Sequence, residues 1–341
     1  MSTSSLPRPH SLVPTHDRPP TLLVVIDTEE EFDWYGPFDR KKTGVEHMRK
    51  IDRVQDVFDE FGIRPTYVVD YPVASQPAGA ETLREIVASG RAEVGAHLHP
   101  WVSPPHEEEV NAFHSYPGNL PPELERRKLE ELTRTIEAGV GVRPRTYKAG
   151  RYGLGGHTPE TLAALGFEVD LSPCPPFDFR SDGGPDWSSF PVDPFWHAGG
   201  KVLALPTTGA YVGFVRGSAH RLYSLATQTF LAKLRLAGIL SRLGAVERLM
   251  LSPEGYDPVH HARITKSLLA RGSRTFTFSF HSPSVVPGCT PYVRDEADLT
   301  RFLDACRRYF ELFLGELGGV ARTASELREE LAGAGRPAGS A

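Results

Sequence analysis

The stretch TLLVVID, Thr21 to Asp27, decides the fold class. It is a short run of Leu, Val and Ile closed by a carboxylate, the composition of a strand covered on both faces in a parallel sheet. Downstream, Met48, Ile51, Val54, Phe58 and Phe61 recur at helical spacing, and Gly62 follows where a helix commonly stops. The cycle then repeats. PTYVVD (Pro65 to Asp70) reads as a second strand, Leu83, Ile86 and Val87 mark the helix before Gly90, and AEVGAHLH (Ala92 to His99) is a third strand. Leu124 to Ala138 predicts a helix, RTYKAG a strand, and Thr158-Pro159 to Gly166 a helix with a capping start and a glycine stop. FEVDLS, KVLALP, ERLMLS and RTFTFSF supply further strands, Asp257-Pro258 through Gly272 frames a helix, and Asp295 to Phe313 forms a last strong one. Eight strand candidates alternating with helices predict an α/β chain, either a closed (β/α) barrel or an open doubly wound sheet. Periodicity does not separate the two.

The 341 residues, 40% hydrophobic and 24% charged, hold enough apolar material for one large core or two ordinary ones. Lys and Arg total 38 against 43 Asp and Glu, a net charge of −5, so no general attraction to nucleic acid or to an anionic membrane is expected. The N-terminal stretch has no apolar leader run, and no later segment approaches the length needed to span a bilayer. Cys174, Cys289 and Cys306 are odd in number and far apart, which fits neither a disulfide framework nor a CxxC metal site. A reducing, cytoplasmic setting is the expectation. Residues 1–20, rich in Ser and Pro, and 332–341 are expected to be disordered tails around one domain at 21–331. The aromatic, proline-broken segment from Phe177 to Trp196 is expected to be a loop over a site.

In both parallel architectures ligands gather at the carboxyl ends of strands, and here those ends are chemically loaded. The first ends in Asp27-Thr28-Glu29, the third in His97-Leu98-His99, the fourth in Lys148 with Arg151 close behind, the fifth in Asp170, the last in His281. Alternate strand residues point the same way, so His97 and His99 can offer two imidazoles to one ion. Two imidazoles and one carboxylate with an open position suit Zn²⁺ or a similar divalent cation, leaving a second carboxylate as a base and His281 as an acid. A cation, Lys148 or Arg151, would keep Asp27 ionised. Glu30 and Glu31 are expected to face solvent or to support the ligands, and Glu107 to Glu109 to be a solvated face. His106, His114, His157 and His197 are expected in loops. Trp34, Trp101, Trp187 and Trp196 fall near the expected mouth, where rings can stack on sugars or pack in the core. The run GRYGLGG has glycines that could admit an anion, but not the GxGxxG spacing.

VVIDTEEEFDW, GAHLHPW, YKAGRYGLG, VDLS and FSFHSPS, in this order, resemble the ordered motifs of the polysaccharide deacetylase family, the NodB-homology domain of carbohydrate esterases. The HLHPW and HSPS variants look most like its WalW-type subgroup. The resemblance, spanning most of Thr21 to about Pro291, implies a single domain with a distorted (β/α)7-type barrel, followed by C-terminal helices. It further implies a metal-dependent hydrolase that removes acetyl groups from N- or O-acetylated sugars or glycoconjugates. By the same resemblance Asp27 is the base, and Glu29 takes the place of the metal-binding aspartate. His97 is the first metal histidine; the second, four residues on in the family, falls on Trp101, so His99 substitutes. Lys148, or else Arg151, steadies the base, Asp170 orients the acid, and His281 is that acid. The implied cofactor is a divalent ion, Zn²⁺ first, with Co²⁺, Ni²⁺ or Mn²⁺ as alternatives. Two rivals are a non-catalytic sugar-binding protein on the same fold and a glycosidase using paired carboxylates such as Asp27 and Asp170. Oligomeric state is left open.

Overall fold

The computed structural model describes residues 6, 9, 12, 13, 17–213 and 245–333. The strands are β1 (Thr21–Thr28), β2 (Thr66–Val69), β3 (Glu93–Leu98), β4 (Thr146–Ala149), β5 (Val169–Asp170), β6 (Phe195–His197), β7 (Val202–Ala204), β8 (Gly209–Val212), β9 (Glu247–Met250), β10 (Thr275–His281) and β11 (Val320–Ala321). The helices used below are α1 (Asp52–Glu60), α2 (Tyr71–Ser75), α3 (Pro77–Ala88), α4 (Pro122–Val140), α5 (Thr158–Leu165), α6 (Pro258–Leu269), α7 (Glu296–Phe310) and α8 (Ala324–Gly333).

One curled sheet runs β10-β1-β2-β3-β4-β5-β7-β6, with β11 also paired to β1. Every pairing in it is parallel except β6 with β7. This is the distorted, incompletely closed α/β barrel. ERLMLS does form a strand, but β9 pairs antiparallel with β8 outside the main sheet. That small sheet reaches β10 through Leu251, whose carbonyl accepts the Ser279 N–H at 3.2 Å. FEVDLS yields only a two-residue strand because side chains replace the ladder: Asp170 Oδ1 accepts the Ser172 N–H, and Ser172 Oγ accepts the Ala149 N–H, both at 2.8 Å.

Alternation along the strands separates two apolar layers. Leu22, Val24 and Ile26 of β1 join Phe276, Phe278 and Phe280 of β10 in the core shared with α1, α3, α4 and α7. Leu23 and Val25 point the other way, into a narrower interior with Val68, Val169, Leu171, Trp196, Leu203 and Leu205. Ala324, Leu327 and Leu331 of α8 plug this interior from below. Complete burial of each leucine contributes roughly 1.5–3 kcal/mol. Glu93 anchors the plug, accepting from the Ser325 backbone N–H and hydroxyl at 3.0 Å each. Of the stretch expected to be a disordered N-terminal tail, Leu12 bridges Phe195 and Val13 is buried, because β6 leaves a sheet edge that accepts them. At the same end Leu6 packs against the core, Arg18 pairs with Glu330 and the Pro20 carbonyl accepts the Val320 N–H, and of the expected tail 332–341 Ala332 and Gly333 belong to α8; apart from Pro9, Asp17 and Pro19, the remaining positions of both stretches lie outside the described residues.

Candidate active site

The same alternation that turns Leu23 and Val25 inward brings Asp27 to the upper end of the interior, and likewise His97 on β3, Lys148 on β4 and Ser279 and His281 on β10. Asp27 is the register partner of His281, and His97 that of Lys148. These residues, with Glu29 and His99 just past their strands, line one cavity of about 810 Å³, apart from Lys148, which lies buried beneath it.

Lys148 grips both Asp27 oxygens, Nζ standing 2.6 Å from Oδ1 and 2.8 Å from Oδ2. Burial pushes the Asp27 carboxyl up, but the charges of Lys148, His97 and His281 outweigh it and hold the group below the usual carboxylate range. Opposite, His281 Nε2 lies 3.9 Å from Asp27 Oδ2. Its Nδ1 is held at 2.7 Å by Glu254 Oε2. Burial pulls the imidazole down, yet Glu254, Glu29 and Asp27 raise it to about 10, so it carries a proton at neutral pH. The site therefore pairs an ionised carboxylate with a protonated imidazole.

Beside this pair, Glu29 Oε2 is approached by His99 Nε2 at 3.3 Å and by His97 Nε2 at 3.4 Å. The far nitrogens are already engaged. His97 Nδ1 lies 2.9 Å from the Lys148 carbonyl, and His99 Nδ1 lies 2.8 Å from Glu30 Oε2. An Nδ1–H that donates outward leaves an Nε2 lone pair inward, so two lone pairs and a carboxylate oxygen converge, an arrangement relieved by a cation among them. Glu29, His97 and His99 each offer an atom within 4.8 Å of the others. Burial lowers the His99 pKa, which favours the neutral, ligating imidazole.

Around these groups, Glu30 accepts the Trp101 indole N–H at 2.8 Å as well as facing His99. The Glu30 backbone N–H in turn donates to Asp70 at 2.8 Å. Burial, reinforced by the neighbouring Glu29 charge, moves the Glu30 carboxyl up to about 7, and burial and the Glu30 charge raise Asp70 well above its ordinary range. Glu30 is thus a fully buried support for His99 rather than a solvent-facing residue. The first glycine of YKAGRYG serves the same ring: a Cβ at Gly150 would meet Leu98 O at 2.5 Å and His99 Cδ2 at 2.6 Å. GRYGLGG makes room for an imidazole.

Two expected residues are placed elsewhere. Asp170 does not meet His281. Its neighbours Val169 and Leu171 face the interior, so alternation turns Asp170 to the outer side, where Oδ2 lies 3.4 Å from His197 Nε2. For the same reason the carboxylate pair Asp27 and Asp170, on which the glycosidase alternative relied, is not assembled in one site. His197 sits on β6, not in a loop, and is buried. Arg151 lines the cavity without touching Asp27: its guanidinium lies over Tyr116, 4.1 Å from the ring centroid, pairs with Asp182 and donates to Ser115 Oγ at 2.6 Å. Trp34 and Trp101 line the cavity, whereas Trp187 and Trp196 are core residues. Glu254, which makes the contact with His281 expected of Asp170, is legible only as the carboxylate four residues past Met250, in the SPEG that follows ERLML.

No protein-family model matches the chain, and no curated protein matches it by sequence. Solved structures do match. A provisionally named polysaccharide deacetylase from Mycobacterium smegmatis aligns over 97% of this chain and 96% of its own, at 17% identity and a TM-score of 0.51. A provisionally named glycoside hydrolase/deacetylase from Parabacteroides distasonis aligns over 93% of this chain and 72% of its own, at 12% identity and a TM-score of 0.55. The likeness establishes the fold. No helix among the described residues is long and apolar enough to cross a membrane.

Proposed function

We propose that the protein is a carbohydrate deacetylase of the polysaccharide deacetylase family, WalW-type, acting on an N- or O-acetylated sugar or glycoconjugate. One observation carries this reading: Asp27, gripped by Lys148, and His281, held by Glu254, stand 3.9 Å apart beside a buried Glu/His/His set that opens on the same cavity. The fold shared with the two structures named above supports it.

Glu29, His97 and His99 would hold a divalent ion, Zn²⁺ first, with Co²⁺, Ni²⁺ or Mn²⁺ as alternatives. When bound, such an ion polarises the acetyl carbonyl and acidifies water. Asp27 accepts the proton of the attacking water. Lys148 keeps that carboxylate ionised between turnovers and orients both of its oxygens. His281 Nε2–H delivers a proton to the departing sugar nitrogen or oxygen, and Glu254 holds the ring by Nδ1. Acid and base are separate groups of opposite protonation, which supports a bell-shaped dependence of rate on pH. Phe32, Trp34 and Trp101 in the wall suit the flat faces of a sugar. The free cysteines Cys174, Cys289 and Cys306 support a cytoplasmic setting.

The test is acetate release from acetylated mono- and oligosaccharides by the metal-loaded protein. Asp27→Asn is expected to cut the rate by roughly 10²–10⁴-fold while saccharide binding persists. Loss of the activity to chelator and its return with Zn²⁺ or Co²⁺ are the accompanying expectation. No acetate from any acetylated saccharide, with intact ligand binding, would leave a sugar-binding protein on this fold.

A further inference from the structure

Glu31, His47 and Ser282 form a line of polar groups behind Glu29 that the chemistry above does not use. Ser282 Oγ accepts the Glu29 backbone N–H at 3.3 Å and lies 2.8 Å from His47 Nε2. Across the ring, His47 Nδ1 faces Glu31 Oε1 at 3.4 Å, and the same oxygen accepts the His47 backbone N–H at 2.9 Å. Hydrogen-bond capacity permits one consistent direction. The Glu31 carboxylate can only accept, so Nδ1 carries the hydrogen; in that tautomer Nε2 is the acceptor of the Ser282 O–H, and a lone pair of Ser282 Oγ takes the Glu29 N–H. Glu31 is itself tied in place: its N–H donates to Gly44 O at 2.8 Å, and a Cβ at Gly44 would come within 2.8 Å of Glu31 Oε2.

These are the residue types of a nucleophilic triad, but Ser282 is 0% exposed, His47 is 2% exposed, and neither lines the cavity. The hydroxyl therefore has no route to a substrate carbonyl. Its place in the sheet suggests another task. Backbone pairing of β1 with β10 ends at Asp27 and His281. Ser282, the next residue, supplies a further tie with its side chain, to the backbone of Glu29.

We propose that the Glu31–His47–Ser282 relay is a positioning device that fixes the end of β1 against the end of β10, and so sets Glu29 relative to His281. The inference rests on the reading of Glu29 as a cation ligand. Linked hydrogen bonds in a dry interior strengthen one another, and partners that orient a metal ligand weaken metal binding when removed.

The experiment titrates Co²⁺ into metal-stripped protein by calorimetry and measures kcat and KM for acetate release and the Tm of the apo-protein. Ser282→Ala removes the acceptor of Glu29 N–H, His47→Phe keeps a ring without an acceptor, and His47→Gln restores an acceptor oxygen. Ser282→Ala and His47→Phe are expected to weaken Co²⁺ binding by roughly 10–100-fold and to lower kcat more than they raise KM, with part of the loss recovered in His47→Gln. Should Ser282→Ala fail to fold, the two His47 variants carry the same comparison. A lowered Tm with unchanged Co²⁺ affinity and kcat overturns the relay as a positioning device. Wild-type protein that binds no Co²⁺ overturns the ligand reading of Glu29 and the relay together. Wild-type protein that binds Co²⁺ without releasing acetate overturns the deacetylase reading alone, and a drop in Co²⁺ affinity in the variants then still supports the relay.

Discussion

On β1, Leu23 and Val25 turn into the barrel to pack in one cluster with Leu327 and Leu331 of α8, whereas Asp27, two residues further along the same face, turns in to meet Lys148. The lower interior is closed by the apolar face of a helix; the upper interior is closed by charges that satisfy one another around a cavity. A single alternation thus supplies apolar packing below and a cluster of charged groups around a cavity above. The difference teaches that position along the strand, not the face it presents, separates the two tasks. Substitutions below should act on folding and leave turnover intact, and substitutions above should do the reverse.

The sharpest way to break this division is Leu327→Ala. A cavity in the plug is expected to cost about 2–5 kcal/mol of stability, read in denaturant unfolding, with kcat/KM of the folded protein unchanged. A comparable fall in kcat/KM would show that the plug and the cavity are coupled. Next in size is Glu254→Gln at the upper end. In the proposed mechanism His281 must be protonated to act as acid, so the rate is expected to be lost as pH rises through its pKa, which stands at about 10 with Glu254 present. Without that charge the basic limb of the pH–rate profile is expected to move down, toward the ordinary histidine range, while the acidic limb stays in place. The smallest effect is expected from Asp170→Asn. Because Asp170 faces His197 on the outer side, the basic limb should not move at all; a downward shift like that of Glu254→Gln would return Asp170 to the acid's environment.

The contrast also explains what could be read in the sequence. Asp27 and His281 close the two long apolar runs, His97 and Lys148 stand near the ends of shorter strands, and strand period aligns all four on one face. Asp170 misled because its strand is two residues long, although the apolar neighbours Val169 and Leu171 carried the signal that it points outward. Glu254 escaped notice because it lies beyond a strand that pairs outside the main sheet, where a strand-end rule has no register to count from. The opposite fates of Glu29, Glu30 and Glu31 in one run of carboxylates depend on contacts with Asp70, His99 and His47, all distant along the chain. No local pattern encodes those partners.

Lys148 serves two neighbours through two kinds of atom. Its ammonium holds Asp27, and its carbonyl meets the Nδ1 of His97. The first contact belongs to the residue type and disappears with it. The second belongs to the peptide chain and survives whatever side chain stands there. A substitution at position 148 therefore alters the surroundings of the Asp27 carboxylate while the backbone contact that orients the neighbouring imidazole is kept, so the two contacts can be changed separately.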